Sequence, residues 1–206
     1  KSDQYFAATK VWTKGKKEGI EQMLLSEERM NVKTFDLIAV HNLVDWKIHL
    51  STLKKWKELG KVRYIGITTS HGRYRSELLN IMRTEEIDFI QFSYNIEDRD
   101  AEHNILPLAR ERGIATMINR PFKRASLFEI IQGQSLPEVA KEVGAYSWGQ
   151  YFLKFILANP AVTNIIPATS KRGHMIDNMQ ANTGIVPNAS QRQEMLDVFI
   201  HIKNKL

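Results

Sequence analysis

The sequence predicts an α/β fold, a (β/α)8 TIM barrel built on parallel strands, and three observations predict it. Residues 36–43 read DLIAVHNL, and the apolar run Leu37, Ile38, Ala39 and Val40 leaves neither side of a strand for water. Successive side chains of a strand point to opposite sides, so this strand is buried on both, as in a parallel sheet covered by helices. Strand-like and helix-like segments also alternate along the chain, six strands in all, with connections short enough to keep the strands parallel. No G-x-G-x-x-G turn follows any of these strands, which counts against the open doubly wound sheet and favours the barrel.

Each segment has a local reason. Residues 5–9 are strand-like, and 18–31 place Ile20, Met23, Leu24 and Met30 at spacings that fit one helical face. The buried strand covers 35–41. A helix over 47–59 repeats Leu50, Leu53 and Trp56 three apart and stops at Gly60. Strand 62–67, helix 75–84, strand 87–92 and helix 101–112 follow, the last ended by Gly113. Beyond strand 114–118, two helices open with capping boxes, Ser135 with Glu138 and Ser147 with Gln150. Strand 162–166 leads to a helix over 173–179, and Ser190 with Gln193 caps a terminal helix running to about Lys203.

Composition bounds the function. The chain has 206 residues, 43% of them hydrophobic and 25% charged, the profile of one ordinary soluble domain covering 1–206. There is no cysteine, which excludes thiolate metal sites, disulfides and cysteine nucleophiles. No apolar run approaches the roughly 20 residues that span a bilayer, so no membrane partner is expected. The net charge of +6 suits an anionic ligand, but the basic residues are scattered, and nucleic acid is not expected. No pair of histidines with a carboxylate stands at ligand spacing, so no metal is expected.

A barrel gathers its strand ends at one rim, and here every end is polar. The first strand ends at Lys10, the second at His41 and Asn42, the third at Thr68, Thr69 and Ser70. The fourth ends at Gln91 with Tyr94 and Asn95, the fifth at Asn119 and Arg120, and the last at Ala168, Thr169 and Ser170. Amides and hydroxyls beside one cation and one imidazole suit a carbonyl reduced by a nicotinamide better than metal-assisted hydrolysis.

These residues carry a resemblance. ATKVW around Lys10, DLIAVHNL, YIGITTS, QFSYN and IIPATSKRGHMIDN resemble, in order, strand regions of the aldo/keto reductase superfamily, with this chain starting at the third barrel strand. NRPF at 119–122 resembles a bacterial branch in which it replaces the more usual tyrosine-serine-proline. The resemblance implies an NAD(P)H-dependent oxidoreductase passing a hydride between a nicotinamide cofactor, NADPH with NAD as the alternative, and a small-molecule carbonyl or alcohol. Lys10 would lower the pKa of a catalytic tyrosine, and His41 would orient the substrate carbonyl. Thr68, Thr69 and Gln91 would hold the nicotinamide carboxamide, and Asn119 and Arg120 would border the cofactor. Thr169, Lys171, Arg172 and His174 would grip the 2′-phosphate at a helix start, where the helix N-terminus adds partial positive charge. Asp177 and Asn178 would contact the adenine end.

Departures are also visible. Asn119 stands where most members stack an aromatic on the nicotinamide, Thr68 and Thr69 replace a serine and asparagine, and Ala168 replaces a lysine found in some members. The family's aspartate and proton-donating tyrosine belong to its first two barrel units, and this chain supplies about six units, the third to the eighth. The expectation is an N-terminally incomplete barrel with roughly 80 to 100 further residues before Lys1, a monomer or weak homo-oligomer when complete, cytoplasmic or else periplasmic. Two rivals are a non-catalytic relative that binds cofactor or a protein partner, and a phosphate-binding barrel isomerase or lyase.

Overall fold

The structure, a computed structural model, describes residues 5–70 and 72–205. The chain forms two compact units, one comprising Lys1–Phe92 and Leu108–Thr116, the other Ser93–Pro107 and Met117–Leu206.

In the first unit β1 (Ala8–Val11), β2 (Phe35–Val40), β3 (Val62–Thr68) and β4 (Phe89–Ser93) lie side by side in chain order, all parallel. They are connected through α1 (Lys16–Met30), α2 (Trp46–Glu58) and α3 (Arg75–Thr84). All six residues of β2 are buried, as its unbroken apolar run requires. Its one charged member, Asp36, is satisfied by the Ala7 N–H at 2.7 Å and the Arg63 guanidinium at 2.6 Å. Where β3 meets β4, a Cβ on Gly66 would stand 2.5 Å from the Phe89 carbonyl oxygen, so only glycine fits that approach. From α2, Leu50, Leu53 and Trp56 are buried, and Gly60 ends the turn at φ +71. Here β5 (Ala115–Asn119) begins, Ala115 N–H donating to the Asp88 carbonyl.

In the second unit β5 continues and pairs in parallel with β6 (Asn164–Ile165). After α4 (Ile105–Glu111) come α5 (Ser126–Ile130), α6 (Glu138–Glu142), α7 (Trp148–Leu157), α8 (Arg172–Gln180) and α9 (Ala189–Lys203). The core is aromatic. Phe152 of α7 meets Phe128 of α5 at 5.7 Å and Phe199 of α9 at 6.0 Å, both edge-on, a geometry that adds about 0.5–1.5 kcal/mol per pair beyond area burial. Lys154 is buried yet satisfied, its ammonium donating to the Thr183 and Ile185 carbonyls at 2.9 and 2.8 Å.

Several boundaries differ from the sequence expectation, each for a local reason. β1 starts at Ala8 rather than at residue 5, because the Ala7 carbonyl accepts from both Asp36 and Leu37 and the regular register begins only at Ala8 opposite Leu37. β2 closes at Val40, and His41 opens a short turn. The buried stripe of α1 is Gly19 and Met23, while Leu24 is exposed. The helix expected over 101–112 is a 3-10 turn followed by α4, interrupted at Asn104, whose side chain accepts from the Ile105 N–H. α5 was not anticipated. Ser135 caps nothing, since α6 opens at Pro137 without a side-chain cap. Ser147 does accept from the Gln150 N–H, but the Gln150 side chain turns to the Tyr146 N–H instead of closing the box. The last helix is capped two residues early, by a complete box of Asn188 and Gln191, which leaves Ser190 inside it. Among the described residues no helix is long and apolar enough to cross a membrane.

Candidate active site

In the first unit, parallel strands put the ends of β1 to β4 at one edge. Lys10 is in register with Ala39, two residues before His41, and Thr68 is in register with Gln91. Thr69 continues the ladder by donating its N–H to the Gln91 carbonyl at 2.8 Å. Val11 packs toward Gly19 of α1, so Lys10, one residue earlier, points to the opposite, helix-free face. Its ammonium makes no ion pair among the described residues. Partial burial of the ammonium lowers its pKa below the usual lysine value.

His41 stands beside this charge. Its Nδ1 lies 2.9 Å from Thr68 Oγ1, and the backbone N–H of Asn42 donates to the same oxygen at 3.1 Å. Asn42 Oδ1 accepts from the Ser70 hydroxyl at 3.2 Å. Asn42, Leu43 and Asp45 all hold positive φ, a run of left-handed residues that non-glycine chains adopt at a cost, of the kind found at functional turns. Trp12, two residues beyond Lys10 and largely exposed, sets its ring edge-on to the imidazole at 5.3 Å and 86°. Gln22 of α1 clamps Trp12 from both sides, accepting its N–H at 2.5 Å and donating to its carbonyl at 3.4 Å. Buried His49 and Asp45 pin the rest of the loop through the Thr13 carbonyl and the Gly15 N–H. The Lys-x-Trp spacing is the signal in the sequence for Trp12; nothing local marks Gln22.

Burial, then the Lys10 charge, lowers the His41 pKa below the ordinary imidazole value of 6.5. An unfolded chain protonates this ring near 6.5 and the folded chain only at lower pH. The His41 contribution to stability is therefore lost as pH falls below 6.5 toward the folded value. An NMR titration should find His41 titrating below 6.5, with Lys10→Met raising it only part of the way because burial, the larger cause, remains. Full return to 6.5 in that variant would show that burial counts for nothing.

The second unit holds a cavity of about 680 Å³. It brings together Arg120, Thr169, His174, Asp177 and Asn178 with four residues that sequence reasoning missed, Phe122, Arg124, Phe128 and Trp148. Lys171 and Arg172 stand exposed at the start of α8, outside the cavity lining, with the Lys171 N–H donating to Thr169 Oγ1. Arg120, Lys123, Arg124 and Ala125 all have positive φ. Arg120 Nε is buried without a hydrogen-bond partner among the described residues, and burial, then the Arg124 charge, lowers its pKa from the usual guanidinium value. Asn119, at the end of β5, accepts from the Ser93 hydroxyl at 2.6 Å. Asp177 is occupied at both oxygens, accepting from Ser147 at 2.6 Å and from the Gln150 amide at 2.7 Å, and Asn178 donates to the Pro167 carbonyl. Asp177 thus ties α8 to the start of α7, and Asn178 ties it to the segment after β6.

Parallel strands with polar carboxyl ends, and a cavity lined by Arg120 and Arg124 beside a helix start, define a barrel-type α/β protein. The profile of the Aldo/keto reductase family matches residues 1–195, and the chain belongs to that family. It is 26% identical over 146 residues to the NADH-specific methylglyoxal reductase of Escherichia coli (strain K12), covering 66% of this chain and 43% of that protein. It is 26% identical over 167 residues to an uncharacterized oxidoreductase of Schizosaccharomyces pombe (strain 972 / ATCC 24843), covering 78% and 51%. The chain spans about half the length of these curated relatives. Among solved structures it resembles an aldo-keto reductase from Klebsiella pneumoniae in complex with NADP and acetate, with a TM-score of 0.77 at 17% identity over 96% of this chain and 71% of that one. The holo form of an aldo-keto reductase from Bacillus halodurans gives 0.74 at 22%, over 93% and 70%. At these identities the likeness establishes the fold, six parallel strands with their helices forming part of an aldo-keto reductase barrel.

Proposed function

We propose that this chain belongs to an oxidoreductase that moves a hydride between a nicotinamide cofactor and a small carbonyl or alcohol substrate. The observation that carries this reading is the unpaired Lys10 ammonium acting on a His41 imidazole at the ends of adjacent parallel strands. A neutral imidazole there orients a carbonyl oxygen by donating a hydrogen bond, and the nearby cation stabilises the negative charge that develops on that oxygen or on a proton-donating phenol. Trp12 forms an apolar wall against the imidazole, which favours substrates with a flat or apolar body next to the carbonyl.

The cofactor, when bound, supplies the hydride. Gln91 and Thr69 would hold its carboxamide. In the second unit, Arg120 with its unpaired buried Nε and Arg124 form a cationic lining that fits phosphate groups, His174 adds a hydrogen-bonding ring, and Phe128 and Trp148 offer flat surfaces to a base. Lys171 and Arg172, exposed at the α8 N-terminus, would receive a 2′-phosphate, which supports a reading of NADPH over NADH. The NADP complex of the Klebsiella pneumoniae protein supports this choice, and the NADH-specific Escherichia coli relative makes NADH the alternative.

The test is a binding titration of the full-length protein followed by nicotinamide fluorescence. Replacing Lys171 and Arg172 together by alanine should weaken NADPH by about tenfold to hundredfold while NADH changes little, since only NADPH has the phosphate to lose its charge-assisted contacts. Equal weakening of the two cofactors would remove the 2′-phosphate assignment, and no binding of either to the wild type would remove the oxidoreductase reading itself.

A further inference from the structure

Thr68 is only 1% exposed, and its hydroxyl oxygen has two polar neighbours. The Asn42 backbone N–H, at 3.1 Å, can only donate. His41 Nδ1, at 2.9 Å, can donate or accept depending on which ring nitrogen carries the proton. With a proton on Nδ1, the Thr68 oxygen would accept twice and its own buried proton would be left without an acceptor among the described residues. With Nδ1 bare, the Asn42 N–H donates to Thr68, the Thr68 hydroxyl donates to Nδ1, and every buried group is paired. An unpaired buried donor is penalised by a factor of about 5 to 150 in equilibrium terms, enough to set one tautomer.

We infer that Thr68 is a positioning residue that fixes His41 as the Nε2–H tautomer, so that the ring presents a donor, not a lone pair, to a carbonyl oxygen. This rests on the proposed role of His41 and takes the Thr68 hydroxyl out of the set that would bind cofactor. It also explains the left-handed turn after His41. With Asn42 at positive φ and its side chain held by Ser70, the Asn42 N–H is kept on one lone pair of the Thr68 oxygen, which leaves the ring nitrogen as the acceptor for the Thr68 proton. Trp12, edge-on at 86°, fixes the ring from another side.

The experiment is 15N NMR of the imidazoles in the full-length protein without cofactor, above the pH at which His41 titrates. The wild type should show a protonated Nε2 and a bare Nδ1. Thr68→Ser, which keeps the hydroxyl, should preserve that pattern, and Thr68→Val, nearly the same shape without it, should give a mixture. In parallel, kcat should fall in Thr68→Val in proportion to the Nε2–H fraction lost, about twofold for an even mixture, and recover in Thr68→Ser, with the Kd for NADPH unchanged. A wild type with the proton on Nδ1 overturns the inference even if the valine variant fails to fold. So does a folded valine variant that keeps the pure Nε2–H form, or one that loses NADPH affinity with no change in tautomer. Tautomers that behave as expected in a protein that transfers no hydride would leave the positioning role standing and reject the proposed function.

Discussion

Lys10→Met in the full-length protein is expected to lower kcat by about 10²- to 10⁴-fold, the range that positioned proton-transfer machinery contributes, while the melting temperature stays nearly unchanged. The two halves of this expectation have different causes. The ammonium makes no ion pair among the described residues, so its removal leaves no orphaned partner, and the burial that lowers its pKa already disfavours the charge, so the change should stay within about 0.5 kcal/mol. Its charge, however, acts on His41 and, in the proposed mechanism, on the proton donor to the carbonyl. Methionine keeps the stem and its packing and removes only the charge. Steady-state kinetics with a thermal melt on the same preparation decides the matter. Unchanged kcat would dismiss Lys10 from the chemistry, and a large drop in melting temperature would make it a structural residue.

The largest expected loss of stability lies in the second unit, at Arg192. Its guanidinium donates to the Tyr94 hydroxyl at 2.5 Å and to Glu102, its Nε donates to the Phe155 carbonyl at 3.2 Å, and it lies 4.1 Å over the Phe155 ring. Tyr94 is fully buried and in turn donates to Glu102 at 2.5 Å; burial is the main reason its phenol pKa is pushed well above the ordinary value. Arg192→Met would leave a carboxylate facing the core with its cation gone. Arginine and glutamate keep 20% and 19% exposure, so the cost is set at about 3 kcal/mol, the low end for breaking a buried pair. For a chain of this size that is a fall of about 6–12 °C in melting temperature. Glu102→Gln, which keeps a hydrogen-bonding group in place, should lose less. A melting point within 2 °C of wild type for Arg192→Met would show the cluster to be dispensable.

What could be read along the chain was what depends on near neighbours. The six-residue burial of β2 follows from its own apolar run, α3 occupies the residues its pattern predicts, and Gly60 ends α2 because glycine accepts the left-handed turn that other residues resist. Where competing local signals lie close together the sequence does not separate them: Ser190 and Asn188 both offer a cap and the chain uses Asn188, and the helical pattern across Asn104 is interrupted by that side chain.

By itself, then, the sequence determined the strand order, most helices and the residue types at the strand ends, because periodicity and capping act over a few residues. Only the tertiary structure decided what those ends do. Thr68 was placed with the cofactor by resemblance, yet its hydroxyl is turned to a histidine 27 residues away. Asp177 is spoken for by Ser147 and Gln150, 30 and 27 residues distant. Arg192 closes on Glu102 across 90 residues. Such pairings are set by strand register and helix packing, which bring together donors and acceptors that have no relation in sequence, and a hydrogen bond a few ångströms long registers only the final arrangement.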